Sequence, residues 1–420
     1  MDKRTFLKNV GLMSVAMPLS FVHLQQVVAS VKHLDPKDVA SDEEFWLKVR
    51  GDYDLKPDYI NLENGYYCFL PRQTLEHLIT HMRNVNYEGS YYMRTVQWEN
   101  KDRVADRVAE IVGCSGEEVA ITRNTTESLD LVIGGIDWQA GDEAVMAEQD
   151  YGSMLNHFKL VERRYGVVNK LVSVPNHPKD DAEIVDLYAA AITDKTRLLM
   201  VCHMINITGQ ILPIRKITDM AHARGVEVMV DGAHAFSHID FKMSDLDCDY
   251  YGTSLHKWLS APLGSGMLYV KKAKIDSIWP LLAEEDLGAN DMHRLNHIGT
   301  HPVHTDLAIL NAIEYQNTLG LERKEARLRY LQHYWTSRVR DLPRVVVNSP
   351  VEMNRHGGIG NVGIDGLEPA EFAETLMRKY HIFTVAIDRP GVRGLRITPN
   401  VYTTTAELDS FVQAIRELSA

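Results

Sequence analysis

Two stretches of the chain hold residue types that could do chemistry together. In Met229-Val230-Asp231-Gly232-Ala233-His234 an apolar run ends on an acid. Downstream, Gly252-Thr253-Ser254-Leu255-His256-Lys257-Trp258 is followed by Pro262-Leu263-Gly264-Ser265-Gly266. An acid at the carboxyl end of a strand stands where open α/β sheets bind ligands, although alone it reads as a cap or loop anchor. A lysine among small, hydroxyl-bearing and apolar residues is a candidate for a lowered pKa and a Schiff base, although alone it reads as a surface charge. Taken together they offer an acid for a pyridinium nitrogen, an amine for an aldehyde and hydroxyls for a phosphate. Those are the parts that pyridoxal 5′-phosphate needs. Asn124-Thr125-Thr126-Glu127 adds a strand-to-helix turn. Its hydroxyls and amides can cradle a phosphate, and the alternative is a plain threonine cap.

The elements that must position these residues follow from hydrophobic periodicity. Helical spacing runs over 72–112, 127–133, 151–165 and 214–224, and strand patterns fall at 119–122, 143–147, 170–174, 197–203, 226–231 and 267–270. Alternation of this kind predicts a mostly parallel sheet with helices on both faces, and 267–270 is expected to be its antiparallel member. A charged helical stretch over 305–340 precedes strand patterns at 345–347, 358–364, 383–387 and 395–397, with helices at 371–379 and 406–418. These predict a second, smaller α+β lobe.

The paired motifs Asp231-Gly232-Ala233-His234 and Ser254-Leu255-His256-Lys257-Trp258, with Pro262-x-Gly264-x-Gly266, resemble the cofactor signature of the class V, fold-type I pyridoxal-phosphate enzymes. Leu255 stands where most members carry a small residue, and the Leu-His-Lys-Trp form resembles the isopenicillin-N-epimerase-like branch. The resemblance spans about 58–418. It implies a large lobe with a seven-stranded-type sheet over 76–305, a small lobe over 306–420, and a segment over 30–75 that joins the small lobe and the pocket. Lys257, Asp231 and His234 are implied as catalytic groups, with Asp231 on the ring nitrogen and His234 on the phenolate oxygen. Thr125, Thr126, Ser254 and His256 are implied at the phosphate, joined by Thr300 from a partner subunit, and Asn206 near cofactor and substrate. Tyr151 is implied as the ring stacked over the cofactor, or is a core tyrosine. Arg396, in Gly394-Leu395-Arg396-Ile397-x-Pro399-Asn400, is implied to hold a substrate carboxylate in its planar fork. Asn64, Tyr66 and Arg94 are further pocket candidates. A homodimer with shared sites and a small amino-acid-type substrate are expected. Aminotransferase-like chemistry is the first expectation, with epimerase or C–S/β-lyase as alternatives. A non-catalytic binding protein is expected to have lost the lysine, the ring acid or the arginine, and all three are present. Desulfurases need a nucleophilic cysteine on a loop of the small lobe. No cysteine follows Cys248, and 348–363 carries His356 and glycines instead.

Composition bounds the rest. The 420 residues, 45% hydrophobic and 24% charged, suffice for a large two-lobed body and exclude wholesale disorder. A net charge of -12 without a basic stripe argues against a nucleic-acid partner. Cys68, Cys114, Cys202 and Cys248 are scattered and read as free thiols. His293, His297, His301 and His304 lack the cysteine or acid spacing of a metal site, and no metal is expected. The start Met1-Asp2-Lys3-Arg4-Thr5-Phe6-Leu7-Lys8, with its apolar continuation and small residues near 28–30, resembles a twin-arginine export signal in which lysine replaces the first arginine. An export signal over 1–29 and a periplasmic location are expected. The alternatives are an amphipathic helix and a cytoplasmic protein.

Overall fold

Apolar strands that are buried on both faces need helices on both faces, and this chain supplies them. The computed structural model describes residues 21–282 and 287–420. The N-terminal part holds helices α1 (Val22–Ala29), α2 (Pro36–Val39) and α3 (Glu43–Arg50), then strand β1 (Ile60–Asn61). Three further helices follow: α4 (Arg72–Glu88), α5 (Ser90–Thr95) and α6 (Gln97–Val112). The stretch 72–112 is therefore not one helix. Gly89 at φ 58 and ψ -133 cannot continue an α-helix, and Val96 at φ -123 makes the second break. In α6, Val104, Val108 and Val112 recur every fourth residue and are buried, as an amphipathic helix requires.

The large lobe alternates β2 (Val119–Thr122), α7 (Thr125–Gly135), β3 (Glu143–Ala147), α8 (Gly152–Tyr165), β4 (Val168–Val172), α9 (Asp181–Ala191), β5 (Thr196–Cys202), α10 (Ile214–His222) and β6 (Glu227–Asp231). Helix α11 (Met243–Leu246), β7 (Tyr250–Ser254) and β8 (Gly266–Val270) complete it. The seven strands run in the order β2-β8-β7-β6-β5-β3-β4. β8 is antiparallel to β2 and β7, and the remaining pairs are parallel. Apolar clusters lie on both faces, one including Val108, Val201 and Val230, the other Leu129, Phe158 and Met229.

Helices α12 (Val303–Leu319) and α13 (Leu321–Val339) lead to the small lobe and are divided at Gly320, whose φ of 87 admits no helical continuation. The small lobe contains β9 (Val345–Val347), β10 (Gly360–Ile364), α14 (Pro369–Tyr380), β11 (Ile382–Phe383), β12 (Val385–Arg389), β13 (Val392–Ile397) and α15 (Thr405–Ser419). Its antiparallel sheet has the order β12-β13-β10-β9. β1 pairs in parallel with β11, and Glu63 bridges to Thr398, so the N-terminal segment is stitched to this lobe.

The stretch assigned to a leader divides in two. Residues 1–20 lie outside the described residues. Phe21 and α1, by contrast, are packed into the body, with Phe21, Leu24 and Val27 buried against a cluster that includes Tyr315 and Trp258. Among the described residues no helix is long and apolar enough to cross a membrane.

Candidate active site

Parallel pairing aligns the carboxyl ends of β5, β6 and β7, with Cys202 opposite Asp231 and Asp231 opposite Gly252. At these ends opens a cavity of about 470 Å³. Its wall contains Thr125, Thr126, Tyr151, Asn206, Asp231, His234, Ser254, His256, Lys257, Arg396 and Tyr66, each of which the sequence singles out. The topology brings them together from seven stretches of the chain, because most sit at or just after the carboxyl end of a strand and Thr125 and Thr126 open the helix that follows one.

Asp231 ends β6 and is buried. Among the described residues its one side-chain hydrogen bond is from the Ala233 amide to Oδ1, at 3.0 Å. Burial pushes its pKa up, while the Ala233 amide and the Lys257 charge pull it down. A cation in the cavity would complete its shell. Burial, helped by the Arg396 charge, brings the Lys257 pKa down to about 8, and the carboxylate of Asp231 works against them. Lys257 Nζ stands 3.1 Å from His234 Nε2. His234 is buried and held well below the usual histidine range by desolvation and by the positive charges of Lys257 and Arg396, so the ring is neutral.

Opposite this group is the start of α7. Asn124 caps it by accepting from the Glu127 amide at 2.9 Å. The Thr125 amide donates to Ser254 Oγ at 2.9 Å, and the two hydroxyls lie 2.6 Å apart. Strand β7 thus locks the helix start, whose first-turn amides lack a partner from a preceding turn. Hydroxyls, amides and the positive end of the helix dipole make an anion site. Arg123 stands at its edge, paired with Glu127 at 2.8 Å. His256 lines the same end, and burial brings its pKa down to about 4.

Arg396 enters from β13 and is paired with Glu63, with Nη2 to Oε1 at 2.5 Å and Nε to Oε2 at 3.2 Å. Sequence reasoning does not single out Glu63. The signal available was its place one residue before Asn64, in the segment already suspected of shaping the pocket. Gly65 lets the backbone lie against the guanidinium, since a Cβ there would come within 2.8 Å of Arg396 Cζ. Trp258 is a second omission, and its indole donates to His234 Nδ1 at 3.3 Å.

Two expected residues, Asn64 and Arg94, stand elsewhere, and Thr300 was expected at a partner's site rather than its own. Asn64 is fully buried and is spent on structure: its Nδ2 donates to the Thr398 carbonyl at 2.6 Å and its Oδ1 accepts from Tyr402 at 2.7 Å. Arg94 is exposed on α5 and does not line the cavity. Thr300 is exposed and lies outside the cavity of its own chain. Of the histidine series, His293 bonds Asp102 at 2.9 Å and His301 bonds Asp306 at 2.9 Å. No group of three or more metal-ligating side chains forms among the described residues.

The donor set fits pyridoxal phosphate at each of its polar ends: an anion cradle, a buried low-pKa amine, and a buried carboxylate short of one donor.

The chain is similar to known proteins over most of its length. The chain is 29% identical over 395 residues to isopenicillin N epimerase of Streptomyces clavuligerus, covering 89% of this chain and 98% of that protein. It is 27% identical over 408 residues to a cysteine desulfurase of Haloferax volcanii, covering 89% and 95%. Among solved structures, a C-DES variant with glycine covalently linked to its pyridoxal-phosphate cofactor superposes with a TM-score of 0.80 at 20% identity, covering 88% of this chain and 99% of the other. An apo cysteine desulfurase from Thermococcus onnurineus gives 0.78 at 22%, covering 88% and 97%. The family model "Aminotransferase class-V" matches residues 70–398, and the chain belongs to that family.

Proposed function

We propose that this chain is a pyridoxal 5′-phosphate-dependent enzyme that acts at the α-carbon of an amino acid or an amino-acid-containing small molecule, with aminotransferase-like chemistry as the first reading. The carrying observation is that one cavity holds the depressed amine of Lys257, the under-bonded carboxylate of Asp231, the neutral ring of His234, the Thr125–Ser254 cradle and Arg396. When bound, the cofactor supplies an electron sink for the bond broken at the α-carbon. The residues supply the rest. Asp231 holds a proton at the pyridine nitrogen, and His234 donates to the ring oxygen. Thr125, Thr126, Ser254 and His256 take the phosphate, and Tyr151 covers the ring. Lys257 Nζ holds the group and moves the α-proton. Arg396 receives a carboxylate on the end of its fork that Glu63 leaves open.

Epimerisation is the second reading. It requires a proton donor on the other face of the α-carbon, and Tyr66 and Tyr151, both lining this cavity, are the candidates. Desulfurase chemistry has no comparable support. His356 is buried and bridges to Gln210, and the Gly357 and Gly358 amides donate to the Gly209 carbonyl and to His238 Nε2, so this stretch is fixed against the large lobe. Of the cysteines near the site, Cys202 lies well above the usual thiol range and burial pushes Cys68 up to about 12, so neither is a thiolate.

Incubating the loaded enzyme with a panel of amino acids and short peptides in deuterated water, followed by mass spectrometry, tests these readings. A keto acid supports transamination, and α-deuterium with unchanged composition supports epimerisation. Pyruvate from a β-substituted alanine indicates elimination. No uptake of pyridoxal phosphate by the wild-type chain would overturn the assignment.

Two further readings belong here. A homodimer is supported by several exposed large aromatic and apolar side chains, including Tyr87 (91% exposed), Tyr91, Trp98, Trp279 and Leu282 (62%). Thr300, outside its own chain's cavity, is then free to serve a partner's phosphate end. Light scattering of the loaded enzyme checks this, and a monomer at micromolar concentration would reject it. Export through the twin-arginine-like start to the periplasm is supported by the sequence, with the leader ending before Phe21. Recovery of the intact N-terminus from the cytoplasmic fraction alone would reject it.

A further inference from the structure

Trp258 follows Lys257 in sequence and is wholly buried. Its backbone carbonyl is held by Lys324 Nζ, which also donates to Gln316 Oε1 at 2.9 Å. Its ring packs on His238, with centroids 3.9 Å apart. Its indole N–H reaches His234 Nδ1 at 3.3 Å. An indole nitrogen can only donate. His234 Nδ1 is therefore the acceptor, and the proton of a neutral ring must sit on Nε2. The ring is neutral because it is desolvated and faces Lys257, Arg396, His238 and His256.

The Nε2 atom lies 3.1 Å from Lys257 Nζ. An N–H pointed at that atom needs a lone pair there, and only the uncharged amine has one. The opposite tautomer would aim a lone pair at Nζ and favour the ammonium instead. Which nitrogen carries the proton therefore decides the sign of the contact. Other groups act on Lys257 as well: Asp231 and Glu63 favour its charge, and Arg396 opposes it. None of these has two tautomers, so none can be reversed by a single neighbouring donor.

We propose that Trp258 is a positioning residue that locks His234 in the Nε2–H tautomer and thereby disfavours the ammonium of Lys257 relative to the free amine, the form that adds to an aldehyde or takes up a proton. This rests on the reading of Lys257 as the amine that holds the cofactor.

The test begins with ¹⁵N spectra of the histidine-labelled apo-chain, with His234 assigned by loss of its signals in His234→Gln. The expected result is an Nε2–H ring, and an Nδ1–H ring in the wild type overturns the proposal without any Trp258 variant. Trp258→Phe, and replacement of the indole by an isosteric benzothiophene, remove the donor, the second with the packing kept. Both are expected to give a tautomer mixture. The pH midpoint of the rate of pyridoxal-phosphate addition should rise by about one unit, so that addition at neutral pH slows about tenfold. Variants that fold, load and keep the wild-type midpoint overturn the proposal. A wild-type chain that never loads overturns the cofactor assignment instead, and the tautomer of the apo-chain is still read.

Discussion

Arg396 and Glu63 form a two-point ion pair, Nη2 to Oε1 at 2.5 Å and Nε to Oε2 at 3.2 Å, with both side chains more than nine-tenths buried. The side of the guanidinium is thus taken by the protein, and Nη1 lies 3.4 Å from the Asn206 carbonyl. A substrate carboxylate would meet the end of the fork and a charge already half-compensated. Arg396→Gln leaves Glu63 buried without its cation. It should destabilise the chain by about 3–5 kcal/mol and lower the melting temperature. It should also cut the preference for alanine over ethylamine by about tenfold or more, since a charge-assisted bond of about 1.5–3 kcal/mol is lost. Titration of the visible band of the loaded enzyme measures both affinities. Glu63→Gln keeps an acceptor for Nε but releases the positive charge, so alanine should bind several-fold tighter. Weaker alanine binding in that variant would mean that Glu63 acts by aiming the fork rather than by neutralising it.

Lys257 gives a pH prediction with a definite sign. Its pKa in the fold is about 8 against an ordinary 10.5, so between these values the unfolded chain holds a proton that the folded chain does not. Stability must then rise as pH climbs from about 8 toward 10.5, with the full penalty present below 8. Lys257→Met removes the penalty. The apo-variant should be more stable than the wild type at pH 7 by about 3 kcal/mol, the equivalent of the shift. The advantage should vanish above pH 10.5. Thermal melts of both apo-chains across this range decide the matter, and a constant difference at all pH values would assign the effect to packing.

Much of the site was legible because strand ends recur. Asp231, Thr125 and Asn206 follow apolar runs that are unmistakable in sequence, and Lys257 lies among residues whose small size is itself a signal. What was missed lacks a local signature. Strand β7, Tyr250-Tyr251-Gly252-Thr253-Ser254, is buried throughout, yet it shows neither alternation nor an aliphatic run. Glu63 meets Arg396 across more than three hundred positions of chain. The residue type of Asn64 points equally to a ligand contact and to a structural one, and the fold engages its amide with Thr398 and Tyr402. The breaks at Gly89 and Gly320 were visible as glycines, but a glycine in a helical pattern is tolerated often enough that only backbone geometry identifies a stop.

The cysteines should be dispensable for chemistry. Cys68 is engaged by Asn400 Nδ2 at 3.1 Å and faces the Asn64 carbonyl at 3.2 Å, and Cys202 is enclosed beside Asp150 and Asp231. Both are protonated at neutral pH. Cys202→Ala and Cys68→Ala should keep turnover within a few-fold of wild type once the loaded fraction is matched. Both should lose some stability, about 1–3 kcal/mol for a buried side chain made smaller. Loss of a sulfur-transfer activity in either variant, with loading intact, would restore the desulfurase alternative.

The N-terminal boundary can be set by truncation. Phe21 lies 5.7 Å from the Tyr315 ring, centroid to centroid, and His23 Nδ1 is 3.1 Å from the buried Asp52 carboxylate, which also accepts from Tyr315 at 3.0 Å. Leu24 and Val27 complete the packed face of α1. A chain that starts at Phe21 keeps all these contacts and should melt with the full-length protein. A chain that starts at Ser30 loses three buried apolar side chains, each contributing about 1.5–3 kcal/mol, and leaves Asp52 facing a vacated surface. That loss is comparable to the net stability of a typical domain, about 5–15 kcal/mol. The shorter chain should therefore melt far lower or fail to accumulate. Equal melting of the two truncated chains would show that α1 adds nothing to the core and that a leader could extend through residue 29.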